Sequence, residues 1–230
     1  MPNIDCAEGS CQGGAFAERG ASAILSIVTR FPGAYKRRRL FLSKERVVPE
    51  DSPETSRDEA SYDTLAEAAE GYELALDEPT LKLLDQYREL LWDWNEKINL
   101  TRHTTFAKFA GRDLLDSLQL AAQIGPRQRV LDVGSGGGVP GLVLAIVRPD
   151  LRMTLCESTQ KKARVLQSMV ETLRLPVTVA ACRAEELLQL QTFDVLTARA
   201  VAPLGKLLYW LAPHWDAFDE LLLIKGKSWV

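Results

Sequence analysis

Four glycines fall within five positions, Gly134, Gly136, Gly137 and Gly138, a fifth follows at Gly141, and an acid, Asp132, stands two residues before the first. An apolar run of strand length, Arg129 to Val133, enters this stretch, and an apolar run of helical length, Leu142 to Val147, leaves it. The pattern predicts strand, tight turn, helix, the first unit of a nucleotide-binding sheet. Glycine lets the turn's backbone approach a ligand that a Cβ would hold off. Free N–H groups of the turn and helix start are expected to face that ligand. In the order D-x-G-x-G-x-G, a carboxylate beside the turn repels a pyrophosphate and suits an ammonium or sulfonium. That points to S-adenosylmethionine. The competing reading is the dinucleotide fingerprint G-x-G-x-x-G over Gly136, Gly138 and Gly141. It begins two residues late for a strand ending at Val133, and it leaves Asp132 next to a diphosphate. A ligand-free loop is the weakest reading, because so many glycines carry a conformational cost that a plain turn avoids.

The following elements extend the site. Arg152 to Glu157 predicts a second strand with Glu157 at its carboxyl end, 19 residues past Gly138, where an acid accepts both ribose hydroxyls of an adenosine. Ser158 to Leu175 reads as a helix whose Lys161, Lys162 and Arg164 form a solvated face. Val177 to Ala181 is a third strand, and the loop after it places Ala184 and Glu185 beside the expected adenine; otherwise Glu185 caps the next short helix. Phe193 to Ala200 is a fourth strand ending near Arg199, which points toward cofactor or substrate unless it is tied up in a buried salt bridge. Val201 to Trp215 reads as a helix kinked near Pro213, and Glu220 to Gly226 as a fifth strand.

Upstream, an Ala/Glu/Leu-rich stretch from Ser61 to Leu76 reads as a helix. A second helix begins at Asp77-Glu78-Pro79, and its Leu84, Tyr87, Leu91, Trp94 and Ile98 share one face. Trp92 and Trp94 are expected to pack there. A third helix runs roughly from Phe106 to Ile124 with Arg112, Asp113 and Asp116. Residues 1–60 carry a basic run, Lys36-Arg37-Arg38-Arg39, then an acidic stretch from Pro49 to Glu59, a composition expected of disorder. The expected organisation is a disordered leader over 1–60, N-terminal helices over 61–125, and an α/β, Rossmann-like sheet domain over 126–230.

Composition narrows the partners. Residues 1–78 hold nine Lys/Arg against fifteen Asp/Glu, and residues 79–230 hold nineteen against sixteen, so the sheet-bearing part is mildly basic under an overall charge of −3. That permits nucleic-acid binding without demanding it. Cys6, Cys11, Cys156 and Cys182 form no C-x-x-C pair, which suits a reduced, cytoplasmic protein without a metal site. No stretch has the length of a membrane span.

Three stretches together resemble one family: Trp94-Asn95-Glu96-Lys97-Ile98-Asn99-Leu100-Thr101, then Arg112-Asp113-Leu114-Leu115-Asp116-Ser117-Leu118, then Leu131 through Gly141 with Val139-Pro140-Gly141. They are similar to the bacterial 16S ribosomal RNA guanine-N7 methyltransferases, also called glucose-inhibited division protein B. Ala198-Arg199-Ala200 and Lys225-Gly226 continue the likeness, which covers about residues 79 to 227. The resemblance implies an S-adenosylmethionine-dependent enzyme that methylates N7 of a guanine in 16S ribosomal RNA; the expected partner is that RNA or the small ribosomal subunit, and the chain is expected to be a monomer. It implies that Gly134, Val139, Ala184, Glu185 and Arg199 line the cofactor site, beside Asp132, Gly136 and Glu157. The N7 atom has a lone pair and no hydrogen, so no general base is expected. Arg199, Arg112 and Arg102 are the candidate substrate contacts. Asp113 stands where the family usually has His, and the family continues into two further strands, so Leu221 to Ile224 is expected as an exposed apolar edge. The alternatives are a methyltransferase on another substrate, an NAD(P)-dependent oxidoreductase, and an inactive truncated cofactor-binding domain.

Overall fold

The computed structural model describes residues 60–225 together with two strands of the leader, 23–28 and 39–41. Lys36, Arg37 and Arg38 of the basic run and the stretch from Pro49 to Glu59 lie outside the described residues, as do Cys6 and Cys11.

The strands β3 (Arg129–Val133), β4 (Arg152–Cys156), β5 (Thr178–Ala180), β6 (Phe193–Arg199) and β7 (Phe218–Lys225) form a parallel sheet. With β1 (Ala23–Val28) and β2 (Arg39–Phe41) the spatial order is β2-β1-β7-β6-β3-β4-β5. Each parallel crossover carries a helix: α5 (Gly141–Val147), α6 (Gln160–Leu173), α7 (Ala184–Leu190) and α8 (Leu204–Leu211). Successive side chains of the sheet enter different cores. Val130, Met153, Leu155, Val195 and Leu222 pack with α5 and α6, while Leu131, Val133, Leu196, Ala198 and Leu221 pack with α7 and α8. A parallel sheet covered on both faces requires such continuous apolar strands.

The N-terminal helices lie on the first of these cores. α1 (Leu65–Gly71) starts at Thr64, and α2 (Glu78–Asn95) starts at Asp77, whose carboxylate accepts from the Thr80 N–H at 2.9 Å. Leu84, Tyr87 and Leu91 are fully buried, and Trp94 and Ile98 pack partly buried beside them. The expected third helix is three pieces: α3 (Phe106–Lys108), a π-helical turn (Phe109–Leu114) and α4 (Leu115–Gln123). The wider turn turns Asp113 wholly inward, a placement that the 3.6-residue period does not anticipate. Similarly, the helix expected over Val201 to Trp215 ends as α8 at Leu211 and continues as a 3-10 segment, Ala212–Ala217, since Pro213 cannot supply an interior N–H.

Two expectations need correcting. The leader is not wholly without regular structure, and β7 is not a bare edge. β1 pairs antiparallel with β7 in register from Ala23 against Lys225 to Val28 against Glu220. The Ala-Ile-Leu-Ser-Ile-Val segment carries strand-type side chains in sequence, and the unpaired N–H and C=O groups of β7 give it a template.

Candidate cofactor and substrate crevice

The glycine turn joins the carboxyl end of β3 to α5, so it opens at the end of the sheet where ligands bind in open α/β folds. Much of its polarity is satisfied internally. Ser135 N–H donates to the Cys156 carbonyl (3.0 Å), Gly138 N–H to the Ser135 carbonyl (2.7 Å), and Gly136 N–H to Glu157 Oε2 (3.0 Å). The turn's amides therefore do not all face outward, as the motif alone suggested. The glycines differ too. A Cβ on Gly134 would meet Val201, one on Gly137 Leu91, one on Gly138 Leu142, and one on Gly141 Leu155 and Asp132. Only at Gly136, with φ +56°, would a methyl meet nothing nearer than the Gly134 carbonyl at 3.8 Å. In this turn most glycines make room for the protein, and Gly136 leaves room for a ligand.

Glu157 borders that space. It is 6% exposed, and its two oxygens each hold a backbone N–H, Gly136 through Oε2 and Thr159 through Oε1 (2.7 Å). Each oxygen keeps a second lone pair for a ribose hydroxyl. Beyond it, Gln160 Nε2 donates to the Ala181 carbonyl (2.9 Å) and fixes the β5–α7 loop. Ala184 is buried at the start of α7 and Val139 within the glycine turn. Glu185 does not cap α7, and its carboxylate has no hydrogen-bond or ion-pair partner among the described residues. Gly134, Gly136, Val139, Glu157, Ala184 and Glu185 thus line the carboxyl ends of β3, β4 and β5. The donor set fits an adenosine: paired acceptors at Glu157, an apolar floor at Ala184 and open space at Gly136.

Asp132 occupies a different place from the one its motif suggests. It is 1% exposed, and its Oδ1 accepts the Thr197 hydroxyl from β6 at 2.9 Å, while Oδ2 has no partner. Burial pushes its carboxyl up to about 6, against the opposing hydroxyls of Ser135 and Thr197, the Gly141 N–H and the charge of Arg199. Its charge reaches a ligand only through the protein.

On the other flank of β3, Arg199 ends β6. Its Nη1 donates to Asp113 Oδ1 at 2.6 Å, and Asp113 is fully buried in the π-turn. The same oxygen accepts from His103 Nδ1 at 2.8 Å. His103 sits in a loop held from three sides. Asn95 Oδ1 accepts from the N–H groups of Leu100 and Thr101, Trp92 Nε1 donates to the His103 carbonyl (3.0 Å), and His103 N–H donates to Thr101 Oγ1. Tyr87, fully buried, donates its hydroxyl to the Gly137 carbonyl (2.9 Å) and couples α2 to the turn. Its hydroxyl is pushed well up, first by burial and then by the nearby charge of Asp113. Arg112 is half-buried in the π-turn, and Arg102 is exposed beside His103. The W-N…N-L-T stretch is thus a device for holding this loop against the glycine turn. Sequence reasoning missed His103, Tyr87 and Thr197 as site neighbours; the one available signal was a histidine two residues after that stretch.

The profile described as GidB, rRNA small subunit methyltransferase G, matches residues 80–229. The chain belongs to the rRNA small subunit methyltransferase G family. Among its curated relatives, the Ribosomal RNA small subunit methyltransferase G of Rhodopirellula baltica is 53% identical over 163 residues, 71% of each chain. That of Paramagnetospirillum magneticum is 42% identical over 152 residues, 65% of this chain and 72% of the relative. A solved structure of MtNAS in complex with MTA and tNA aligns with TM-score 0.42 at 17% identity, over 72% of this chain and 71% of that one. Family membership makes the protein a methyltransferase with S-adenosylmethionine as cofactor, which removes the oxidoreductase alternative. No helix among the described residues is long and apolar enough to cross a membrane.

Proposed function

We propose that the chain transfers the methyl group of S-adenosylmethionine to N7 of one guanine in 16S ribosomal RNA, in the cytoplasm and as a monomer. The observation that carries this reading is the split of the crevice about β3. Adenosine-type acceptors stand on the β4 and β5 side at Glu157 and Glu185, and a cationic, half-exposed side chain stands on the β6 side at Arg199. Glu157 would hold the ribose of the cofactor, and the open space at Gly136 would leave room beside it. Arg199, with Arg102 near it on the loop after α2, would face the substrate base.

The bound cofactor supplies the electrophilic methyl group. The protein supplies orientation and an environment for charge that leaves the donor and appears on the base. Glu157, pinned by two backbone N–H groups, fixes the ribose without reorganising. Arg199, pinned by Asp113, fixes an anionic group of cofactor or RNA. N7 carries no hydrogen, so no proton has to be removed, and none of these residues need act as a base. Major-groove N7 is inaccessible in a regular A-form helix, so the target guanine belongs to an irregular or unpaired region. A monomer is supported by β1 covering the outer edge of β7, which closes off strand-to-strand association there.

The test is transfer of tritiated methyl to small ribosomal subunits lacking the modification, followed by borohydride and aniline treatment, which cleaves RNA at N7-methylguanine. One labelled cleavage position in 16S RNA is expected. Label without cleavage would place the methyl on another atom.

A further inference from the structure

The glycine turn is anchored from two sides. From the end of β4, Glu157 Oε2 accepts the Gly136 N–H at 3.0 Å. The peptide unit joining Gly137 to Gly138 is then fixed at both of its polar atoms. Its N–H donates to the Ser135 carbonyl at 2.7 Å, and its carbonyl accepts the Tyr87 hydroxyl at 2.9 Å. The first bond is local, whereas the second reaches 50 residues back along the chain to α2. The same helix and the loop after it close on Gly137. A Cβ there would stand 2.9 Å from Leu91 Cδ1 and 3.3 Å from Leu100 Cβ.

Tyr87 has two parts with separate duties. Its ring is buried with Leu84 and Leu91, and its centroid lies 6.1 Å from that of Phe109, which is core packing that a phenylalanine supplies equally well. The hydroxyl adds little to that packing. A buried hydroxyl needs a partner, and the one it has is a carbonyl of the cofactor turn. Burial, and after it the charge of Asp113, keep the hydroxyl protonated, so it remains a donor. Without it the Gly137 carbonyl has no hydrogen-bond partner among the described residues.

That carbonyl sits between two residues of left-handed backbone, Gly136 at φ +56° and Gly138 at φ +103°. Glycine enters such conformations freely and leaves them as freely, so the turn keeps one shape through its anchors. The open space beside Gly136 therefore depends on Tyr87 on one side as it does on Glu157 on the other.

We propose that the Tyr87 hydroxyl is a positioning group for the cofactor: by holding the Gly137 carbonyl from α2, it fixes the glycine turn in the shape that receives S-adenosylmethionine. Tyr87 works through the turn, so it acts on cofactor binding and leaves the transfer step alone. The N-terminal helices thereby belong to the cofactor site. The proposal rests on the placement of the cofactor beside Gly136.

The experiment combines calorimetric titration of the full chain with S-adenosylhomocysteine, methyl transfer to undermodified small ribosomal subunits, and thermal melting. It compares wild type, Tyr87→Phe and Leu84→Val. Phenylalanine keeps the buried ring. Leu84 lies on the same buried face of α2, about one helical turn before Tyr87, and shortening it loosens the core without removing the hydroxyl. Tyr87→Phe is expected to weaken S-adenosylhomocysteine five- to tenfold and to raise KM for S-adenosylmethionine by the same factor, with kcat at saturating cofactor within twofold of wild type. Leu84→Val is expected to melt lower and to bind S-adenosylhomocysteine within twofold of wild type. Tyr87→Phe that melts lower yet binds as wild type does overturns the proposal and leaves the hydroxyl a structural part of the core. Leu84→Val that loses as much affinity as Tyr87→Phe overturns it too. Gly136→Ala that binds S-adenosylhomocysteine as wild type does would instead overturn the placement of the cofactor itself.

Discussion

The two ends of the parallel sheet treat charge in opposite ways. At the amino end, arginines meet their own aspartates. Arg129 pairs with Asp194 through its backbone N–H (2.7 Å) and Nη2 (2.8 Å), and Arg148 pairs with Asp150 through Nε (2.8 Å) and Nη2 (2.9 Å). Arg148 also donates to the carbonyls of Ala121, Ile124 and Gly125, closing the end of α4. Hydrogen bonds from these arginines hold both aspartates below the usual carboxylate range. At the carboxyl end, the carboxyls of Asp132 and Asp113 are buried with an oxygen unpartnered. The exposed cations Lys161, Arg164, Arg183 and Arg102 have no ion-pair partner among the described residues. The Arg129–Asp194 and Arg148–Asp150 pairs at the first end are closed within the chain and serve the fold. The other carries charge that a cofactor and an RNA can complete.

The sharpest way to break this contrast is to remove the cation at the crevice. Arg199→Ala leaves the buried Asp113 carboxyl with His103 Nδ1 on Oδ1, and breaking a buried pair from one side costs up to about 3 to 5 kcal/mol. Urea unfolding should show that loss, accompanied by loss of methyl transfer; a change below about 1 kcal/mol would mean that the Arg199–Asp113 contact does not hold the crevice together.

Next in size is the pH dependence carried by Asp132. Its carboxyl sits at about 6 in the fold against about 3.9 in an unfolded chain. The folded state therefore binds the proton more tightly, and the associated stability is present below pH 4 and lost as pH rises through 6. The difference amounts to about 3 kcal/mol. Asp132→Asn should thus gain stability over wild type at pH 8 and lose that advantage at pH 4. A constant difference across the range contradicts the raised value.

Gly136→Ala separates strain from ligand space. Its left-handed φ costs about 1 kcal/mol with a Cβ present, but no neighbour is struck. Melting should fall modestly while affinity for S-adenosylhomocysteine falls at least tenfold. Equal, small effects on both would place the ligand elsewhere. The smallest effect belongs to the other end. Arg129→Ala removes a pair with 46% and 27% exposed side chains, worth less than about 1 kcal/mol, and should leave cofactor affinity and methyl transfer unchanged.

The parts of this contrast that could be read in the sequence are those encoded locally. The β3-turn-α5 unit, Glu157 at the end of β4 and Arg199 at the end of β6 follow from apolar runs and their stops, because a strand end is a local event. Asp113 could not be placed that way. A π-turn rotates it from an apparent helix surface into the core, and its partners stand 10 and 86 residues away. Asp132 shows the converse: the motif located the residue and misjudged its direction, since a period of two cannot say which face of a doubly covered sheet holds the ligand. The pairing of β1 with β7 was hidden for a third reason. A six-residue strand in charged surroundings finds its partner almost 200 residues later, and only the sheet edge specifies it.

Calorimetric titration of wild type, Glu157→Ala and Arg129→Ala with S-adenosylhomocysteine and with NAD puts the difference between the two ends to the most direct test. The account predicts one S-adenosylhomocysteine per wild-type chain, at least tenfold weaker binding in Glu157→Ala, unchanged binding in Arg129→Ala, and no heat from NAD. Binding of NAD, or Glu157→Ala that binds as wild type does, would contradict it.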